Sequence, residues 1–170
     1  MIDRWPLGPR AELSSDNIHV AMGGADRTVT VVNRTTKASK VFGTFPRELA
    51  MVRWSPDGTK LAAVDEAGEL KLWAADGGLI KEWGPTDMGL DLVFSNDGRW
   101  IMRIGTSKGD KLLSAVAGVP DRDLEVDNNF GTTMGVVFAP GDKLVAAGGQ
   151  GRVRVYDLGR GSRCSRSAPR

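Results

Sequence analysis

The chain has 170 residues and a mass of 18.2 kDa, room for one hydrophobic core but not for a two-domain enzyme. A single cysteine, Cys164, and a single histidine, His19, exclude an intramolecular disulfide and a Cys/His zinc cluster built from this chain. The net charge of +2 divides into +4 on residues 160–170, from Arg160, Arg163, Arg166 and Arg170, and hence −2 on residues 1–159, which excludes a broad cationic face for nucleic acid.

Residues 1–6 show no positive segment followed by a long apolar stretch, and no run of about 18 apolar residues occurs, so neither a secretory signal nor a membrane span is expected. A cytoplasmic location is the expectation. Ile2-Asp3-Arg4-Trp5-Pro6 matches Ile80-Lys81-Glu82-Trp83-Gly84 in pattern and is read as an outer strand. The first unit, residues 7–45, carries the turn cluster Leu13-Ser14-Ser15-Asp16-Asn17 and then His19, which lies in an alternating apolar run and reads as a strand residue rather than a catalytic base. Asn33-Arg34-Thr35 spells a glycosylation acceptor, a chance match without a secretion signal.

The second unit, residues 46–84, is the clearest. Its strands are expected at 49–54, 60–64, 69–73 and 79–83, with Trp54-Ser55-Pro56-Asp57-Gly58 turning the chain between the first two. Pro fixes φ, Asp bonds back to the backbone and Gly accepts φ > 0, which together reverse direction. The third unit, residues 85–127, repeats this with Phe94-Ser95-Asn96-Asp97-Gly98, and the fourth, residues 128–159, with Phe138-Ala139-Pro140-Gly141-Asp142. The four turn clusters start 41, 40 and 44 residues apart. Seven residues beyond the first three starts stand Val20, Leu61 and Ile101; the fourth is read as reaching Leu144 after six, with one turn residue lost. Twelve further on come Val32, Trp73, Leu113 and Tyr156. No 3.6-residue apolar period is sustained, so the chain is all-β, and its 22 glycines, nearly twice the usual share of roughly 7%, serve many sharp turns. Three strands are expected in the fourth unit, and residues 160–170 are read as a disordered basic tail.

On this repeat the chain resembles the WD-repeat family of β-propellers over residues 2–159. Gly23-Gly24-Ala25-Asp26-Arg27-Thr28-Val29-Thr30-Val31-Val32-Asn33 is similar to the family's turn and third strand, and Trp73-Ala74 and Tyr156-Asp157 sit where its Trp-Asp dipeptide belongs. The departures are specific. No Gly-His precedes any unit, the turn aspartate is replaced by Ala67 and Gln150, and Leu113-Ser114 stands for Trp-Asp, so the family's buried Asp-His-Ser-Trp network cannot form. The resemblance implies about four four-stranded antiparallel blades. They form either an open arc of a larger propeller, with residues 2–6 belonging to a missing blade, or a small ring in which residues 2–6 complete the last blade. An arc would expose Val29, Val31, Val153 and Val155 at its ends and invite self-association.

A propeller is a rigid disc with variable loops, and the resemblance puts the inter-blade loops and the loops between second and third strands on one face. That face carries Arg27, Glu66, Lys108 and Gln150, and the candidate partner-binding residues Arg47, Asp87 and Phe130, chosen because Arg and aromatic residues dominate interface energetics. The leading expectation is a protein-protein interaction scaffold with no catalysis, no cofactor and no metal. A TolB-like or hydrolase-type propeller with a central-channel site is the alternative, and the innermost strands would offer it Glu12, Arg53 and Asp91, one per unit and mixed in sign, a poor cation site. A truncated fragment of a larger WD-repeat protein is the third reading.

Overall fold

The computed structural model describes residues 10–86, 89, 91–104, 110–124, 133–149, 152–159 and 163–166. The chain divides into two compact units, Met1–Met88 and Gly89–Arg170. Among the described residues all regular structure is β, arranged as four antiparallel, blade-like sheets of four strands in which sequence neighbours pair. Residues 2–6 lie outside the described residues.

In the N-terminal unit the first sheet contains β1 (Arg10–Leu13), β2 (His19–Gly23), β3 (Thr28–Asn33) and β4 (Ser39–Thr44). The second contains β5 (Leu49–Trp54), β6 (Lys60–Asp65), β7 (Leu70–Ala74) and β8 (Leu79–Trp83), within one residue of the expected strand limits. Period-two alternation sends Ala21, Val29 and Val31 from the first sheet into one cluster with Val52, Leu61, Ala63 and Trp73 from the second. Trp73 anchors it, edge-on to Phe42 and Phe45 with ring centroids 6.4 and 6.1 Å away. Gly43 is required there, because a Cβ at that position would stand 2.8 Å from the Trp73 ring. Val29 and Val31, expected to be wet at the end of an arc, are therefore core residues, because the second sheet covers the face they occupy.

In the C-terminal unit the third sheet contains β9 (Asp91–Phe94), β10 (Trp100–Ile104), β11 (Lys111–Ser114) and the two-residue β12 (Arg122–Asp123). The fourth contains β13 (Gly135–Phe138), β14 (Leu144–Gly149), β15 (Arg152–Asp157) and β16 (Arg163–Arg166). Met102, Ile104 and Leu112 of the third sheet share a cluster with Phe138, Val145, Ala147 and Tyr156 of the fourth. β16 corrects the expectation of three strands and a disordered tail: residues 163–166 pair antiparallel with β15, Val155 opposite Ser165 and Tyr156 opposite Cys164. Backbone pairing asks nothing of side-chain polarity, so an Arg/Ser segment serves as an outer strand.

Pairing also corrects the alignment of the fourth unit. Leu13 pairs with Val20, Trp54 with Leu61 and Phe94 with Ile101, and the fourth pair is Phe138 with Val145, not Leu144. All four first hairpins are equally long. Their fifth residue has positive φ each time: Asn17 at 61°, Gly58 at 70°, Gly98 at 64° and Asp142 at 53°. The missing residue belongs to the second hairpin of the fourth unit, where Gly149 pairs with Arg152, and Tyr156 faces Val145. A recurring bond past the third strand keeps the same tally. Arg34, Ala75, Ala115 and Leu158 donate their N–H to the carbonyls of Ile18, Thr59, Arg99 and Lys143, with Leu158 one residue early.

Three turns share one lock. Ser55 Oγ donates to Asp57 and accepts the Lys60 N–H at 2.9 Å, while Asp57 accepts the Thr59 N–H at 3.0 Å; Ser14 with Asp16 and Ser95 with Asp97 repeat it. Hydrogen bonds from Ser14 and Ile18 hold the Asp16 carboxyl below its ordinary pKa. For Asp57 partial burial pushes upward, but the bonds from Ser55 and Thr59 outweigh it and the net shift is downward. The fourth turn has Ala139 and Gly141 at the lock positions. Its Asp142 instead reaches the third sheet, accepting the Asn96 N–H at 2.9 Å, Asn96 Nδ2 at 2.7 Å and the Asp97 N–H at 2.8 Å.

Candidate binding face

Three loops meet at one end of the N-terminal unit: residues 24–27 between β2 and β3, 45–48 between β4 and β5, and 66–69 between β6 and β7. The Phe45 N–H donates to the Arg27 carbonyl at 2.9 Å, and Arg27 Nη1 donates to the Pro46 carbonyl at 3.1 Å. The Glu66 N–H donates to the Glu48 carbonyl at 3.0 Å. Arg27 holds φ at 66°, an uncommon conformation for a residue with a Cβ, and these two bonds to the neighbouring loop brace it.

Asp65, fully buried at the end of β6, ties the other side together. Its Oδ1 accepts the Ala67 and Glu69 N–H groups at 3.0 and 2.8 Å, and its Oδ2 accepts the Arg47 N–H at 3.2 Å. With three backbone amides on its two oxygens, one side chain fixes both its own turn and the loop that presents Arg47. Lys71 on β7 adds a further tie: Nζ donates to the Thr44 carbonyl at 3.0 Å, stands 5.0 Å from the Phe45 ring centre and is 3.1 Å from Glu69. In the loop between β2 and β3, Asp26 accepts from the Thr28 hydroxyl and N–H, which lowers its carboxyl pKa.

Of the residues singled out from sequence, Arg47, Arg27 and Glu66 are exposed and come together on these loops. Asp87, Phe130, Lys108 and Gln150 lie outside the described residues. Asp65 and Lys71 were missed. Asp65 carried a legible signal, an aspartate closing an apolar strand two and four residues before the amides it binds. Looking for the turn aspartate at position 67, where alanine stands, hid it.

The innermost strands carry a different arrangement. Glu12 on β1 accepts the Trp54 N–H on the unpaired edge of β5, so this carboxylate is committed to holding two sheets together. A shallow cleft beside it is lined by Arg10, Ala11, Ala50 and Arg53. Among the described residues, no group of three or more His, Cys, Asp or Glu side chains is placed to hold a metal ion. His19 opens β2, its ring 6.3 Å from that of Trp54 and its Nδ1 3.6 Å from Asp16. No described helix is long and apolar enough to cross a membrane.

No family model matches the chain, and no curated protein is significantly similar to it.

Proposed function

We propose that the chain is a run of degenerate WD-repeat blades acting as a protein-protein interaction scaffold without catalysis, in a cytoplasmic setting. The observation that carries this reading is the rigid presentation of Arg47. Its backbone is anchored on buried Asp65, the loop before it is braced by Arg27, and the residue is exposed. With its backbone already fixed, docking has only the arginine side chain to order, and that side chain offers five donors to a partner carboxylate or carbonyl. By their places in the sequence repeat, Asp87 and Phe130 are further candidates for partner contact.

The commitment of Glu12 to the Trp54 amide weighs against the channel-enzyme alternative, since a general acid or base must be open to substrate. Cross-linking pull-downs from a native lysate test the scaffold reading by comparing the wild-type chain with Arg47→Ala. Specific partners are expected to fall about tenfold in yield, the loss typical of an interface anchor. Unchanged capture by Arg47→Ala and by Phe130→Ala refutes the assignment.

A further inference from the structure

We propose that the chain self-associates as a two-fold dimer through the face of the fourth sheet turned away from its core. Alternation divides this sheet cleanly. Phe138, Val145, Ala147 and Tyr156 enter the apolar cluster, while Val137, Leu144, Ala146, Val153 and Val155 occupy the other face. Val137, Val153 and Leu144 are 63%, 52% and 41% exposed, and Ala146 and Val155 are half-buried.

The repeat says what this face is built to meet. In the first sheet Ala21 pairs with Val31 and Gly23 with Val29; in the fourth, Ala146 pairs with Val155 and Gly148 with Val153. The two surfaces have the same residues at the same register. In the first sheet that lattice is buried beneath Leu61, Ala63 and Trp73 of the next sheet, with Val29 at 0% exposure. On the fourth sheet the same lattice of small and β-branched side chains is exposed, an apolar surface of the kind that the first sheet buries.

The occupant is the same face of a second copy. Head-to-tail stacking would need the opposite face of the first sheet, yet Met22 and Val32, which hold the positions of Ala63 and Trp73 there, are both already buried. Pairing like with like closes after two copies and leaves no open end. The face carries Asp157 at the end of β15 and, at the register position opposite it on β16, Arg163, one charge of each sign, so self-pairing opposes little like charge. Four strands about 4.8 Å apart and some five residues long cover roughly 300 Å². That is under half of the ~800 Å² per partner in stable complexes, so association is weak and depends on concentration.

Sedimentation equilibrium of the full chain from about 10 to 500 µM, a range spanning weak protein dimers, is the test. The weight-average mass is expected to rise from 18.2 kDa toward twice that value. The double variant Val137→Glu/Val153→Glu should stay monomeric throughout, and Val137→Thr/Val153→Thr, which keeps strand-favouring side chains, should raise the dissociation constant at least about tenfold. Arg47→Ala should dimerise like wild type. A wild-type chain that is monomeric at every concentration overturns the proposal, as does association that the Thr pair leaves unchanged or mass that grows past the dimer.

Discussion

Where the N-terminal unit buries Val29 and Leu49 in its core, the C-terminal unit buries Asp110 and Thr133, at 5% and 4% exposure, with the Thr133 hydroxyl donating to the Asp110 carboxylate at 2.5 Å. The positions correspond: Val29 and Asp110 each stand three residues before the paired apolar position of the third strand, Val32 or Leu113, and Leu49 and Thr133 each stand five before Trp54 or Phe138. Arg154 carries the same contrast further. It is buried with its Nη1 3.3 Å from the Tyr156 hydroxyl, in a place where the N-terminal unit has the half-exposed Lys71. One scaffold thus accepts an apolar or a polar filling at one place, provided the polar groups find partners. In the polar filling each partner is costly to lose, because the other is left buried and unsatisfied.

The largest effect should come from the apolar side. Trp73→Ala empties the centre of the N-terminal core and is expected to lower unfolding free energy by about 3–5 kcal/mol. Urea titration followed by far-UV circular dichroism measures it, and a loss under about 1 kcal/mol would show that Trp73 is not the anchor described. Next is a double-mutant cycle on the polar pair. Asp110→Val alone leaves the Thr133 hydroxyl buried without its acceptor and should lose about 1–3 kcal/mol. Adding Thr133→Leu, which copies the N-terminal pair, should restore part of that loss with a coupling of about 1 kcal/mol. Additive losses would break the equivalence drawn between the two halves.

Ser55→Ala removes one turn lock and should cost about 1 kcal/mol, whereas Ala139→Ser should gain little, because Gly141 holds the place of the lock's aspartate. The smallest effect is on pH. Asp16, Asp26 and Asp57 have folded pKa values below their ordinary ones, so their contribution is complete above about pH 4 and disappears as pH falls through the folded values. Urea midpoints are expected to drop below pH 4, and Asp57→Asn should flatten that drop. Equal slopes in variant and wild type would remove the lock from the acid response.

The four-unit repeat and the strands of the second unit were legible because alternation and Pro-Asp-Gly chemistry act within a few residues. The fourth unit was misaligned at Leu144 because its Gly141-Asp142 order reverses the Asp-Gly order of the second and third units, so matching by residue type placed the gap in the wrong hairpin. Pairing partners, which composition does not encode, show the first hairpin to be full length. β16 was illegible for a related reason: its affinity for β15 lies in backbone groups common to every residue. Arg47 was found by residue type and loop position. Asp65 was not, since its importance comes from reaching an amide 18 residues away.

The Glu12 bond to the Trp54 amide has a bearing on how safely the chain folds. β5 begins the second sheet and would otherwise offer that N–H to any extended segment that met it during synthesis or refolding. A carboxylate from β1 of the preceding sheet occupies the donor and brings a negative charge to an edge otherwise open to strand addition. Glu12 therefore acts as a guard against mispairing as well as a joint between sheets. Its replacement by alanine should show first as aggregation on refolding from concentrated urea, before any change in the shape of the folded protein.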